Sequence, residues 1–296
     1  MSSPLLIILI VAAGFILKKT GLVKKELADS LMNLVFYIFL PATIFSSLTG
    51  MRLQAELAIL PICGALIALF SYAFAYLSSK IIKMDRGTTG TFILASGAMN
   101  QALFTYPFFL MYYGPVGLGY AAFFDLGQAI LALSFAYYIA SCYGNGCNTF
   151  DPLRNTLRFP AIWALAVALL MNYMQLTYLV APISPIIDAL NNATTPLIML
   201  SLGIFIEPRI SKALPTAAVL LIRFVVSLAF AFLLVQALGL PELQRNVILI
   251  SSAAPPAMLT LIYSSKEKLD IEYAADLISV SLIVGLIYIP LLFTIL

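Results

Sequence analysis

The chain has 296 residues; 62% belong to the apolar set that includes Tyr and Cys, and only 10% are charged. A mean hydropathy of +1.03 exceeds what one water-soluble core can hide, and it excludes a disordered chain, a nucleic-acid binder and a disulfide-stapled secreted module. The formal net charge of +3 identifies no acidic partner, because membrane proteins carry basic residues for orientation.

Apolar runs at 3–17, 28–49, 56–79, 89–113, 115–141, 159–174, 184–206, 213–238, 245–264 and 271–296 predict ten membrane helices. The first lacks a basic leader and a small-residue cleavage site, so it is expected to be retained. With the N-terminus outside, the inner loops receive Lys18, Lys19, Lys24, Lys25, Lys80, Lys83, Arg86, Arg154, Arg158, Arg209, Lys212, Lys266 and Lys268. These are all but three of the 16 basic residues. The outer side receives Arg52 and Arg245, and Arg223 falls within a span. This bias predicts a multi-pass plasma-membrane protein with both termini extracellular.

The two halves of the chain resemble each other in order. Asp29–Asn33 (DSLMN) matches Asp188–Asn192 (DALNN), and Leu60-Pro61 matches Leu214-Pro215. Phe92–Ser96 (FILAS) matches Val247–Ser251 (VILIS), and Asp125 falls opposite Asp276. Five helices per half, an odd number, place the repeats in opposite orientations, an arrangement typical of secondary transporters. The expected organisation is a first five-helix repeat over 1–141, a cytoplasmic connection over 142–158 and a second, inverted repeat over 159–296. The fold class is an all-α polytopic membrane protein whose fourth and ninth helices are broken and cross.

The breaks carry the chemistry. Pro255 and Pro256 lie near the middle of the ninth run, where they remove two N–H donors and leave the carbonyls of Ser251 and Ser252 without helical partners. A fresh half-helix after them presents free N–H groups and a positive dipole end, which suit a carboxylate. At the aligned place in the fourth run stand Asn100 and Gln101, with Pro107 following. Amides at membrane depth need a partner or a ligand, although kinks and interhelical bonds are the plainer reading of any one such site.

Three ionisable groups fall inside or near spans. Arg223 would pair with a carboxylate, within a bundle or on an anionic substrate. Asp125 and Asp276 would pair structurally, or carry charge or coupling roles, with Asp276 alternatively at an entrance one turn after Glu272. Asp29 and Asp188 read as helix caps. Asn33, Pro41, Asn192 and Pro196 are candidates for a cavity wall, and Phe104, Tyr106 and Phe108 for packing an aromatic substrate. Cys63, Cys142 and Cys147, with no histidine, leave a weak zinc case, and the cysteines read as incidental. No catalytic constellation, phosphate loop or metal site is recognisable, and no cofactor is expected.

The segment Asn33–Ala42 (NLVFYIFLPA) resembles the second-helix signature of the auxin efflux carrier family of membrane transport proteins. Asn100–Pro107 (NQALFTYP) resembles that family's fourth-helix pattern N-x-G-F-x-G-x-P. The stretch from Tyr113-Gly114 to Asp125 is similar to its continuation, and Ala253–Ala257 (AAPPA) to its second crossover. Ala102 and Thr105 replace two family glycines, which bears on the local backbone path and on substrate. The resemblance implies a ten-helix fold shared with bile acid:sodium symporters, with a scaffold part and a crossover-bearing transport part. It also implies substrates such as auxins, malate or malonate, with Asn100 and the Pro255-Pro256 break lining the carboxylate site.

The expected function is secondary transport of small organic anions by alternating access, with export as the family-based direction. Its alternatives are a sodium-coupled importer, or a membrane-embedded sensor, which would be expected to carry a soluble signalling domain. The coupling ion, Na⁺ or H⁺, is left open, as is a homodimer, for which no small-xxx-small pattern is decisive. The expected partners are the anion and the lipid bilayer, not nucleic acid.

Overall fold

A computed structural model of the chain describes residues 4–51, 55–147 and 160–296. Arg52, Arg154, Arg158 and most of the 142–158 connection lie outside the described residues. The described chain is helical throughout, with no strand beyond one isolated bridge. Over their described residues the predicted runs fall mainly on helices, the fourth and ninth being interrupted at 98–100 and 253–258; a helix satisfies its own backbone polar groups, which an apolar surrounding requires. The helices are α1 (Pro4–Lys19), α2 (Glu26–Thr49), α3 (Glu56–Ser79) and α4 (Arg86–Gly97), then α5 (101–113) and α6 (115–143). They continue as α7 (Pro160–Tyr173), α8 (Ser184–Phe205), α9 (Ala213–Leu238), α10 (Glu242–Ser252), α11 (Leu259–Lys266) and α12 (Ile271–Ile295).

Among the described residues, five helical stretches are long and apolar enough to cross a membrane: α2, α3, Gln101–Tyr143, α9 and α12. The third is broken at Gly114, whose φ of +63° lies in the left-handed region and is followed by Pro115. Glycine takes that conformation readily, and the proline cannot continue the ladder, so α5 and α6 are separate helices.

The chain forms two compact units interleaved in sequence. One comprises 1–57, 102–122 and 156–206. In it α1 packs against α8 through two glycines: a Cβ on Gly14 would stand 2.3 Å from the Leu200 carbonyl oxygen, and one on Gly203 2.1 Å from that of Val11. Small residues permit this backbone approach without any hydrophobic drive between helices. Asn172 of α7 donates to the carbonyls of Leu48 and Met51 at 2.8 and 2.7 Å, satisfying the end of α2. Thr43 and Thr194 share a hydrogen bond of 2.9 Å.

The other unit comprises 58–101, 123–155 and 207–296. Its α3 packs on α4, α9 and α10, and Ser71 of α3 bonds Ser227 of α9 at 2.8 Å. The short α4 and α10 are buried along most of their length. That burial lets them carry Thr88, Thr91, Ser96, Gln244, Asn246 and Ser251, side chains that lipid would not accept.

Two expectations are corrected here. Cys142 and Cys147, read as incidental thiols, are joined as a disulfide. Asp29 and Asp188, read as caps, are not: Asp29 lies inside the first turn of α2, behind Lys25 at the cap position, and Asp188 lies within α8. The capping carboxylates are Asp85, which accepts from Thr88 N–H at 2.9 Å, and Asp270, which accepts from Tyr273 N–H at 3.0 Å.

Candidate functional site

The break after α4 and the break after α10 meet within the second unit. Asn100 N–H donates to the Pro255 carbonyl at 2.8 Å, and Ala257 N–H donates to the Ala98 carbonyl at 3.0 Å. Met99 and Pro256 face each other between these bonds as an antiparallel bridge. In that ladder a residue between two bonds need not donate toward its partner, so a proline fits the position without leaving an orphan.

Met99 turns its own polar groups the other way, onto a side chain. Its N–H donates to Gln128 Oε1 and its carbonyl accepts from Gln128 Nε2, both at 3.3 Å. The amide of Gln128 thus stands in for a third strand. Asp125, one turn earlier on α6, accepts from the same Nε2. Asp125, read as a structural pair or a charge or coupling residue, thus bonds the glutamine that holds the break.

The freed carbonyls are taken by two side chains. Gln101 Nε2 donates to the Ser251 carbonyl at 2.8 Å. Arg223 is fully buried and donates to the carbonyls of Ser252 at 2.8 Å, Ala254 at 3.0 Å and Ser96 at 3.3 Å. No carboxylate of the described chain pairs with it: among the described residues its partners are backbone carbonyls and the Ser227 hydroxyl. Arg223 sits in a π-turn, Ile222–Val226. Two further π-turns, Val35–Phe39 and Gln101–Thr105, each end two residues before a proline, Pro41 and Pro107. The missing proline N–H and the ring's clash with the preceding turn account for the wider turns there.

Three buried polar atoms in these segments have no hydrogen-bond partner among the described residues: Asn100 Nδ2, Ser251 Oγ and Thr260 Oγ1. Asn100 is only 4% exposed. A buried donor left in this state costs about 1–3 kcal/mol, so a ligand that accepts from it gains that much.

Of the remaining candidates, Asn100, Gln101, Ser251, Ser252, Pro255 and Pro256 come together, whereas Pro107 belongs to the first unit. There it lines a small cavity with Leu40, Thr43, Tyr106, Thr194 and Ile198. Asn33, Asn192 and Pro196 are exposed and Pro41 is half-buried; their helical neighbours, not they, line that cavity. Phe104, Tyr106 and Phe108 are buried in the same unit. Asp276 is buried and accepts from Ser211 N–H at 3.1 Å, a loop-anchoring contact.

A polar cluster missed by the reading of the sequence joins the starts of α4 and α12. Lys212 Nζ lies 2.6 Å from Asp270 and 3.0 Å from Asp85, and it also donates to Thr88. The Thr88 hydroxyl and then its N–H hold the Asp85 carboxyl well below the usual carboxylate range, with Lys212 adding to this. Burial opposes ionisation of Asp270, but bonds from Lys212, Thr88 and Tyr273 N–H outweigh it and lower its pKa. Burial likewise opposes the charge of Lys212, and the two aspartates overcome it, raising its pKa. The only sequence signal was an aspartate directly before each helix.

With the geometry in hand, similarity is decisive. The chain matches the membrane transport protein family over residues 1–146 and 149–293. It belongs to that family. An "uncharacterized transporter" of Methanocaldococcus jannaschii is 32% identical over 299 residues, covering 98% of this chain and 97% of that protein. An "uncharacterized transporter" of Methanothermobacter thermautotrophicus is 27% identical over 289 residues, covering 96% and 94%. The motif resemblance to the auxin efflux carriers is thereby borne out, and the chain is an integral membrane transporter. Of the segments that carried the resemblance, Asn100–Pro107 and Ala253–Ala257 reach the paired breaks, whereas Asn33–Ala42 lies in α2.

Proposed function

We propose that this transporter moves small organic anions, carboxylates such as auxin-like acids, malate or malonate, across the plasma membrane by alternating access, in the direction of export. The observation that carries the reading is the buried Asn100 amide, whose Nδ2 has no partner among the described residues and stands in the segment paired to Pro255. An anion there meets an amide donor and the positive N-terminal end of α11. Pro255 and Pro256 keep the break open, Gln101 and Arg223 hold its carbonyl ends, and one bundle moves against the other.

The architecture belonging to this function is ten membrane helices in two inverted repeats, with α4–α5 and α10–α11 as the crossover helices. Contacts between corresponding helices of the two halves support it. Thr43 bonds Thr194 across 151 residues and Ser71 bonds Ser227 across 156; Met99 and Pro256 stand at a comparable separation. Contacts also join segments that this reading assigns to the cytoplasmic side. Lys18 donates to the Ile206 carbonyl, Arg86 to that of Cys142, and Lys212 reaches Asp85 and Asp270.

The test is reconstitution in liposomes with malate, malonate and indole-acetate, reading current and tracer flux. Saturable flux that is lost in Asn100→Ala supports the reading. Tight ligand binding without flux of any tracer would replace it with a sensor.

A further inference from the structure

We infer that the Arg223 guanidinium is a built-in cation: it fills the place where the carbonyl ends of the two broken helices would otherwise gather Na⁺, so the break works without a bound sodium ion. This deepens the transport reading and rests on it.

The argument starts from the ends of α4 and α10. Each helix C-terminus carries about half a negative charge on its unsatisfied carbonyls. Two such ends converge on one guanidinium, through Ser96 from α4 and through Ser252 and Ala254 from the end of α10 and the chain just beyond it. Their sum is about the single negative charge that a buried guanidinium requires. This explains how Arg223 is fully buried with no carboxylate among its partners in the described chain.

Backbone carbonyls at unwound helix ends are also the groups with which secondary transporters coordinate Na⁺. Here they are already bonded: three to Arg223 and the fourth, Ser251, to Gln101. Arginine keeps its proton in proteins, so the charge at this place is permanent. Its planar fork also reaches several carbonyls at once, which a lysine ammonium does less well. The π-turn Ile222–Val226 sets this side chain within the helix α9.

The experiment compares wild-type protein and Arg223→Met, each purified in detergent, in choline, sodium and dilute guanidinium chloride, by thermal unfolding. The wild-type midpoint should not respond to exchanging choline for Na⁺. The variant should unfold at a lower temperature in choline and recover by roughly 5 °C in Na⁺ or guanidinium, as a bound ligand would produce. A wild-type midpoint raised by Na⁺ overturns the assignment, as does a variant indifferent to both cations. If the variant does not fold, the wild-type comparison alone decides. Malate flux in liposomes is measured in parallel, with and without Na⁺. Flux that requires Na⁺ counts against the built-in cation, whereas no flux together with an ion-indifferent midpoint counts against the transport reading and leaves the assignment supported.

Discussion

Gln128 pairs with both backbone polar groups of Met99, accepting from its N–H and donating to its carbonyl. One side-chain amide thereby replaces the helical partners that the break removes. Gln128→Leu should lower stability by about 1–3 kcal/mol, because the buried Met99 N–H is left unpaired, while the Met99 carbonyl keeps the Gln101 N–H at 3.2 Å. Thermal unfolding of the purified variant checks this. A variant as stable as wild type would mean that the contact carries no weight.

Asn100 should behave in the opposite way. Its Nδ2 has no partner within the described protein, so Asn100→Ala should leave the unfolding midpoint unchanged or slightly raised. The loss of a hydrogen bond to a charged ligand should weaken malate binding about tenfold or more. Unaltered affinity and flux would remove the residue from the site.

Replacing Pro255 and Pro256 together by alanine restores two N–H donors and lifts the bar to helical geometry before them. Continuous helix would then compete with the pairing of Met99 to Pro256. Transport should be suppressed while folded protein is still recovered. Unchanged flux in the double variant would reduce the break to a simple kink.

The Lys212 cluster sets a pH dependence. Asp85 and Asp270 have pKa values lowered from 3.8, so their contribution is present above that value and is lost as pH falls through their folded values. Lys212 has its pKa raised from 10.5, so its share is present below that value and is lost as pH rises through the folded one. The stability gap between wild type and Lys212→Met should therefore be flat from about pH 5 to about pH 9 and shrink on either side. Asp270→Ala should cost about 1 kcal/mol from the lost cap alone. Midpoints measured across that range and beyond both of its ends test both statements.

Much of the helix layout was legible, because a period of apolar residues long enough for lipid leaves few alternatives. Even the Gly114 boundary between α5 and α6 could be read from the Gly-Pro step. The paired breaks were legible through their prolines and amides. The role of Arg223 was not, because its partners are backbone carbonyls, which carry no residue signature. Gln128 was overlooked for the same reason: its partner is the main chain of Met99. Lys212, Asp85 and Asp270 are brought together only by the fold, and caps were assigned to Asp29 and Asp188 because those aspartates precede apolar runs. The Cys142–Cys147 pairing was missed because spacing alone does not separate a disulfide from two thiols.

The ladder between Met99 and Pro256 also has a kinetic consequence. The amide protons of Asn100 and Ala257 lie outside any helix, yet each is held by a carbonyl of the other segment in a buried setting. Their exchange with deuterium requires the two segments to part. They should rank among the slowest-exchanging non-helical amides, and the crossing point should travel as one stiff piece during any rearrangement around it.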